Sequence, residues 1–387
     1  MASQPKGCLS KILGYFLRHR SCITVLVALL LVVFCCGSPF WFGRTKITAV
    51  EYSYDGSEII WALALGRIEI EDVATGESRI SADCGDWIAA IAVSPSGQIF
   101  ATLGSHQDDH GYRCNRIKVW SFATLEIESE FDFDFEVGRI AFWPDEEHLL
   151  VGVSKYSRIE DIFVLDLETG ELENFFESQV WKRIGTSTFD IGSQRLGFRV
   201  APTTRELVVW DGKELLILSS KGEHVWSRVF DDEHIVDCAV ARDVPLVSIV
   251  TERRSSSRRT TQDGSASSGE KTFIELWDYQ TNKLGFSHEC SGRLSSPSQL
   301  YEFALFISPS GDAIYFMGSN LVDNEYDDTI ECFSFQTGEQ ERITVFPSIS
   351  PVALSPNGKS MVLQRKSRGV CEILRISLPQ EEADGSP

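Results

Sequence analysis

Three groups of side chains in this 387-residue sequence carry donor atoms suited to chemistry. His106, Asp108, Asp109, His110 and Cys114 bring imidazole, carboxylate and thiolate groups into one short segment, the ligand types that Zn²⁺ or another transition metal takes. Two histidines four apart share a face only on a helix, and Ser105 to Cys114 reads as a loop, so the plainer reading is a solvated polar loop and no metal is assigned. Asp323, Glu325, Asp327 and Asp328 offer oxygen ligands for Ca²⁺ but lack the alternating ligand pattern and turn glycine of a dedicated calcium loop, and a solvated hairpin is again the plainer reading. Arg253, Arg254, Arg258 and Arg259 open a Ser/Gly-rich stretch without large apolar residues. Their guanidinium forks match a phosphate or an acidic protein surface, against the plainer reading of a solubilising insertion.

Catalysis finds little support. The sequence has no Gly-x-Ser-x-Gly elbow, His-Glu-x-x-His, complete Gly-x-x-x-x-Gly-Lys-Ser/Thr phosphate-binding loop or CxxC. No catalytic residue and no cofactor are assigned, and a non-enzymatic role is the expectation. Acidic residues exceed basic ones 56 to 36, for a net charge of -20, which argues against a nucleic-acid-binding surface over the whole molecule.

The elements that must carry these groups are strands. After Lys46, short Val/Ile/Phe-rich runs recur between turn signals with no sustained helical period. Ser94-Pro95-Ser96-Gly97, Ser308-Pro309-Ser310-Gly311 and Ser355-Pro356-Asn357-Gly358 are near copies of one turn, with Ser53-Tyr54-Asp55-Gly56 and Trp143-Pro144-Asp145-Glu146 as looser forms. Proline presets φ and glycine accepts φ > 0, so each closes a tight hairpin. A second signature follows each time: Asp72 to Gly76, Ser121 to Leu125, Asp166 to Gly170, Asp278 to Asn282 and Ser334 to Gly338 share an Asp or Ser, then Thr, then a residue mostly of the Gly/Asn type. An Asp or Ser side chain bonds the backbone two residues on, which makes another hairpin.

Paired hairpins of alternating type, repeating at about 41 to 56 residues, signal stacked four-stranded units. The marks divide the chain near 46–86, 87–133, 138–181, 182–232, 233–293, 299–346 and 347–379. The seventh unit shows strands at Pro351 to Leu354, Ser360 to Gln364 and Val370 to Leu378 but no fourth. A ring of units closes if that strand comes from residues 39–46.

This pattern resembles the WD-repeat β-propeller family and its bacterial relatives with Ser-Pro-Asp-Gly turns. Val119-Trp120, Val209-Trp210-Asp211 and Leu276-Trp277-Asp278 stand where the family has its strand-ending Trp-Asp. The family's Gly-His start is missing from every unit, and the Trp-Asp pair is intact only at Trp210 and Trp277. The resemblance implies an all-β, seven-bladed β-propeller, with partners bound on the face that gathers the second-to-third and fourth-to-first strand connections. That face would carry all three groups of side chains above.

One segment differs from the rest. Lys6, Lys11, Arg18, Arg20, Arg44 and Lys46 are its only charges up to residue 46, and residues 21–43 between them are uncharged, with an almost unbroken apolar run from Cys22 to Cys36. A helix rising about 1.5 Å per residue would cross a hydrocarbon core of about 30 Å. The expected layout is a basic cytoplasmic segment (1–20), a transmembrane helix (21–43), the propeller (44–379) on the extracytoplasmic side, and an acidic tail (380–387). A cleaved secretory signal is the competing reading and would leave a secreted or periplasmic protein; a lipoprotein cut at Cys35 or Cys36 fits less well. Either way the propeller is exported. The six cysteines beyond the segment admit many pairings, of which Cys84 with Cys114 is the candidate disulfide, because both flank the second unit.

The functional expectation is an anchored or exported interaction scaffold that binds a protein partner through its loop face. The alternative is an enzyme or a small-ligand or metal-binding protein that uses the central channel.

Overall fold

The chain divides into two units, Met1–Lys46 and Ile47–Pro387. In the computed structural model the described residues run from Ile47 to Leu378, apart from segments at 64–65, 108–112, 156–157, 176–195, 202–203, 232, 254–270, 291–304, 323–324, 336–337, 348 and 368–369. The basic segment, transmembrane helix and acidic tail expected at 1–20, 21–43 and 380–387 lie outside them, and no helix among the described residues is long and apolar enough to cross a membrane.

The described residues form seven antiparallel sheets, each a meander of strands consecutive in sequence. The first holds Ile47–Tyr52 (β1), Glu58–Leu63 (β2), Arg67–Asp72 (β3) and Ser78–Asp83 (β4). The second holds Trp87–Val93 (β5), Ile99–Gln107 (β6), Arg113–Ser121 (β7) and Ile127–Phe133 (β8). The third comprises Val137–Phe142 (β9), His148–Lys155 (β10), Arg158–Asp166 (β11) and Leu172–Asn174 (β12); the fourth Gly197–Val200 (β13), Leu207–Trp210 (β14), Glu214–Leu218 (β15) and His224–Val229 (β16). Glu233–Val240 (β17), Leu246–Arg253 (β18), Lys271–Asp278 (β19) and Lys283–Cys290 (β20) make the fifth, and Leu305–Ile307 (β21), Ala313–Val322 (β22), Glu325–Ser334 (β23) and Gln340–Pro347 (β24) the sixth. The seventh has three strands, Ile349–Leu354 (β25), Ser360–Ser367 (β26) and Val370–Ser377 (β27).

The inner strands are apolar on both faces because both faces are covered. In β14, Leu207 and Val209 enter a core shared with the third sheet, while Val208 and Trp210 enter one shared with the fifth. Successive side chains of a strand point oppositely, so LVVW and ELLIL read as continuous apolar runs rather than alternating ones. The same division recurs around the unit: seven hydrophobic clusters join sheets one and two, two and three, three and four, four and five, five and six, six and seven, and seven and one. A set of sheets in which the last packs on the first is a ring. The fold is a seven-bladed β-propeller.

The two turn signatures build it as expected. Between β5 and β6 the Gly97 N–H donates to the Ser94 carbonyl at 2.9 Å, with Gly97 at φ 70°. Blade three puts Glu146 in that left-handed place, at φ 70°. Between β3 and β4, Asp72 Oδ1 accepts from the Ala74 and Thr75 N–H groups at 2.9 and 2.7 Å. Asp166 and Asp278 repeat the device two blades and four blades on.

Three readings are refined by the strands. The hairpin expected around Asp323 to Asp328 is built by β22 and β23, which extend until only residues 323–324 separate them, with Val322 opposite Glu325. Likewise β6 continues to Gln107 and β7 begins at Arg113, so 105–107 and 113–114 are paired strand residues rather than loop. The backbone pairing runs on through polar residues in both arms. Thirdly, Trp120 and Trp277 lie in third strands, but Trp210 ends a second strand, one hairpin earlier. The closing strand sought in residues 39–46 lies outside the described residues.

Candidate functional site

Antiparallel alternation sends the second-to-third and fourth-to-first connections to one end of the propeller. The segments that carry His106, Asp108, Asp109, His110, Arg253, Arg254, Arg258, Arg259, Asp323, Glu325, Asp327 and Asp328 all belong to that end, in blades two, five and six. His106 lies in β6 opposite Cys114 of β7, and Glu325, Asp327 and Asp328 lie in β23. Of these residues only Arg253 has a described side chain; Asp108, Asp109, His110, Arg254, Arg258, Arg259 and Asp323 lie wholly outside the described residues. Arg253 donates to Glu233 and stacks 4.8 Å from the Phe273 ring centre, and Glu233 also accepts from Thr251 Oγ1 at 2.5 Å. The cation closest to the blade is therefore tied into it.

The crossover from blade one to blade two, at the same end, is built more tightly than the sequence suggested. Lys118 Nζ lies 2.7 Å from Asp86 Oδ2 and donates to the Cys84 carbonyl at 2.5 Å, and both charged side chains are buried. The buried Cys84 thiol donates to the Gly66 carbonyl. Its candidate disulfide partner, Cys114, has a side chain outside the described residues. Gly66 itself, at φ 76°, would place a Cβ 2.5 Å from the Asp86 carbonyl, so a side chain there is excluded.

This corner presents Trp87 to solvent at 44% exposure, opposite Ser105 at the base of the β6–β7 hairpin. The other exposed large apolar residues, Ile127, Val225, Val229 and Leu284, lie in the outer strands β8, β16 and β20. Nothing in the local sequence around Trp87 marks it, because a tryptophan opening a strand reads as core.

At the opposite end, Asp145, Glu147 and His148 bring three ligand atoms within 4.8 Å of one another. The hydrogen bonds there are those of the turn: Asp145 Oδ1 accepts from the Glu147 N–H at 3.0 Å, and His148 Nδ1 lies 2.8 Å from Asp145 Oδ2.

A cavity of about 550 Å³ runs up the propeller axis, walled by all seven first strands, β1, β5, β9, β13, β17, β21 and β25. Its wall is uneven. Blades two, six and seven contribute residues such as Ala89, Ala90, Val93, Phe306 and Leu354, whereas blades one, three and four contribute Glu51, Arg139 and Arg199. Arg199 reaches the buried Asp237 of β17 at 3.1 Å and the Leu305 carbonyl at 3.4 Å. Arg139 sits 5.4 Å from the Phe198 ring centre, and at the turn end Arg242 sits 4.6 Å from that of Tyr54. Burial pushes the Glu51 carboxyl up to about 7, against the lowering pulls of the Tyr52 N–H and of Arg199. Glu51, Arg139 and Arg199 are each the single charged residue of their first strand.

The crystallographic β-propeller domain of Myceliophteria thermophila Cps50 (Swd1) matches 86% of this chain and 96% of its own length, with a TM-score of 0.53 and 12% sequence identity. At that identity the likeness shows the fold alone. No family model matches the chain, and no curated protein does.

Proposed function

We propose that the protein is a membrane-anchored interaction scaffold whose propeller docks a protein partner on the face formed by the second-to-third and fourth-to-first connections, and that its turns are of the bacterial Ser-Pro-Asp-Gly type. The observation that carries the docking is Trp87: an exposed aromatic on a crossover fixed by the buried Lys118–Asp86 pair. Rigid, half-exposed aromatics supply contact area at small entropic cost and dominate protein interfaces. The connections assigned to this end also differ from blade to blade, from the two residues between β10 and β11 to the 17 between β18 and β19. Anchoring rests on the uncharged residues 21–43 between basic flanks.

A photo-crosslinking residue at the exposed Asp134, beside this face, should capture a partner in the native membrane, and one at the exposed Ser57 on the opposite end should not. Trp87→Ala should abolish the crosslinked product while leaving the thermal transition in place. Equal capture from both ends, or capture unaffected by Trp87→Ala, would overturn the docking face. Deleting residues 21–43 should move the chain from the alkali-resistant membrane fraction to the soluble one; retention in the membrane would overturn the anchor.

A further inference from the structure

The channel has a chemistry that the docking face does not use. In a chain of net charge -20, its lining carries the guanidiniums of Arg139, Arg199 and Arg242 against one carboxylate, Glu51, with Asp237 set behind Arg199. The local balance is thus opposite to the global one. A concave, low-dielectric wall focuses such a field on whatever enters. The arginines lie on blades three, four and five, and apolar residues line the bore around them, among them Ala89 and Val93 of blade two, Ile140 of blade three, Val200 of blade four, Val240 of blade five and Phe306 of blade six.

We propose that the central channel binds a small organic anion, its carboxylate or phosphate held by Arg139 and Arg199 and its apolar body lying against the wall that contains Ala89, Val93 and Phe306. Three features support this assignment. The volume of about 550 Å³ falls in the range of small-molecule sites, about 300–1,000 Å³. The guanidiniums are held before any ligand arrives, Arg139 over the Phe198 ring and Arg199 by the Asp237 carboxylate, so little ordering is needed on binding. Blade two carries small side chains at its part of the bore, where larger ones would narrow it. Alanine at 89 and 90 leaves room for the apolar part of a ligand.

The test titrates the full-length chain calorimetrically with hexanoate and phenyl phosphate as probes, and with hexanol, hexylamine and inorganic phosphate as controls. Saturable one-to-one binding of at least one organic anion is expected, at least tenfold tighter than any control. Ala89→Phe fills the apolar side without touching an ion pair and should abolish that binding. Arg139→Met should weaken it about tenfold, the loss expected for one charge-assisted hydrogen bond. No saturation by either organic anion, equal binding of hexanol or inorganic phosphate, or full affinity in Ala89→Phe with an unchanged thermal transition would overturn the proposal. The outcome is separable from the docking face, because Trp87→Ala should leave hexanoate binding intact.

Discussion

The two ends of the propeller are built from the same strands and differ in what joins them. At one end the first-to-second turns interlock. A Cβ on Gly56 would meet Pro356 of the last blade at 2.9 Å, and one on Gly358 would meet Pro309 at 2.8 Å. At the other end the connections range from the closely spaced β10–β11 pair to the stretch at 254–270. Repetition of one short turn fixes the angle between neighbouring blades, which leaves the far end free to vary without altering the ring. Structural constraint and recognition are thereby kept apart along the axis.

The one exception at the variable end supplies the sharpest way to break this contrast. Asp86→Ala leaves the buried Lys118 with only the longer, partly exposed contact to Glu130 at 3.7 Å and should cost about 3 kcal/mol in urea unfolding, more than any substitution in the variable arms. Replacing both partners, Asp86→Leu with Lys118→Met, should recover most of that loss. Next come the interlocked turns: Gly358→Ala should lower stability by about 1–3 kcal/mol, because it adds the Pro309 contact to the cost of a positive φ. Gly76→Ala, also at positive φ but with nothing within 4 Å, isolates the φ term and should cost about 1–2 kcal/mol. Equal effects at the two glycines would mean that the interlock contributes nothing. The smallest change is expected on replacing residues 254–270 by a short Gly/Ser linker, which should leave the unfolding midpoint unmoved.

Acid and alkali sharpen the same contrast from inside. In the outer turns, hydrogen bonds from Thr75, Thr169 and Thr281 hold Asp72, Asp166 and Asp278 below the usual carboxylate range. Their stabilising effect is present above pH 3.8 and is lost as the pH falls through their lowered values. Glu51 in the channel has the opposite sign. With its carboxyl raised from 4.5 to about 7, the folded chain holds a proton that the unfolded chain has released, so stability declines as the pH rises from 4.5 to about 7 and then levels off. Glu51→Gln should flatten that slope in urea midpoints measured at pH 5, 6, 7 and 8 and be the more stable chain at pH 8.

The ring could be read from the sequence because turn chemistry is local. Seven units follow from Pro, Gly, Asp and Thr at fixed offsets, and the last unit's strands fall within a few residues of β25, β26 and β27. Blade four was harder. Its first turn, 201–206, has no Ser-Pro-x-Gly, and Arg205 takes the left-handed position at φ 53°. The channel was not read because a lone Glu51 or Arg199 in a strand looks like a residue facing water until the ring gives that face an inside. The segment from Ser105 to Cys114 reads as a loop because polar side chains outnumber apolar ones there, whereas pairing depends on backbone rather than on side-chain polarity.

The seam between the first and last blades has a consequence for timing. The Tyr52 hydroxyl lies 3.1 Å from Ser360 Oγ, and Arg375 donates to the Val73 carbonyl at 2.9 Å, across almost the full sequence of the propeller. During synthesis the earliest-made sheet must wait, one flank uncovered, until the seventh sheet has been made. Loss of the seventh sheet would therefore damage the first blade as much as the last, and chaperone demand should peak just before that sheet is completed.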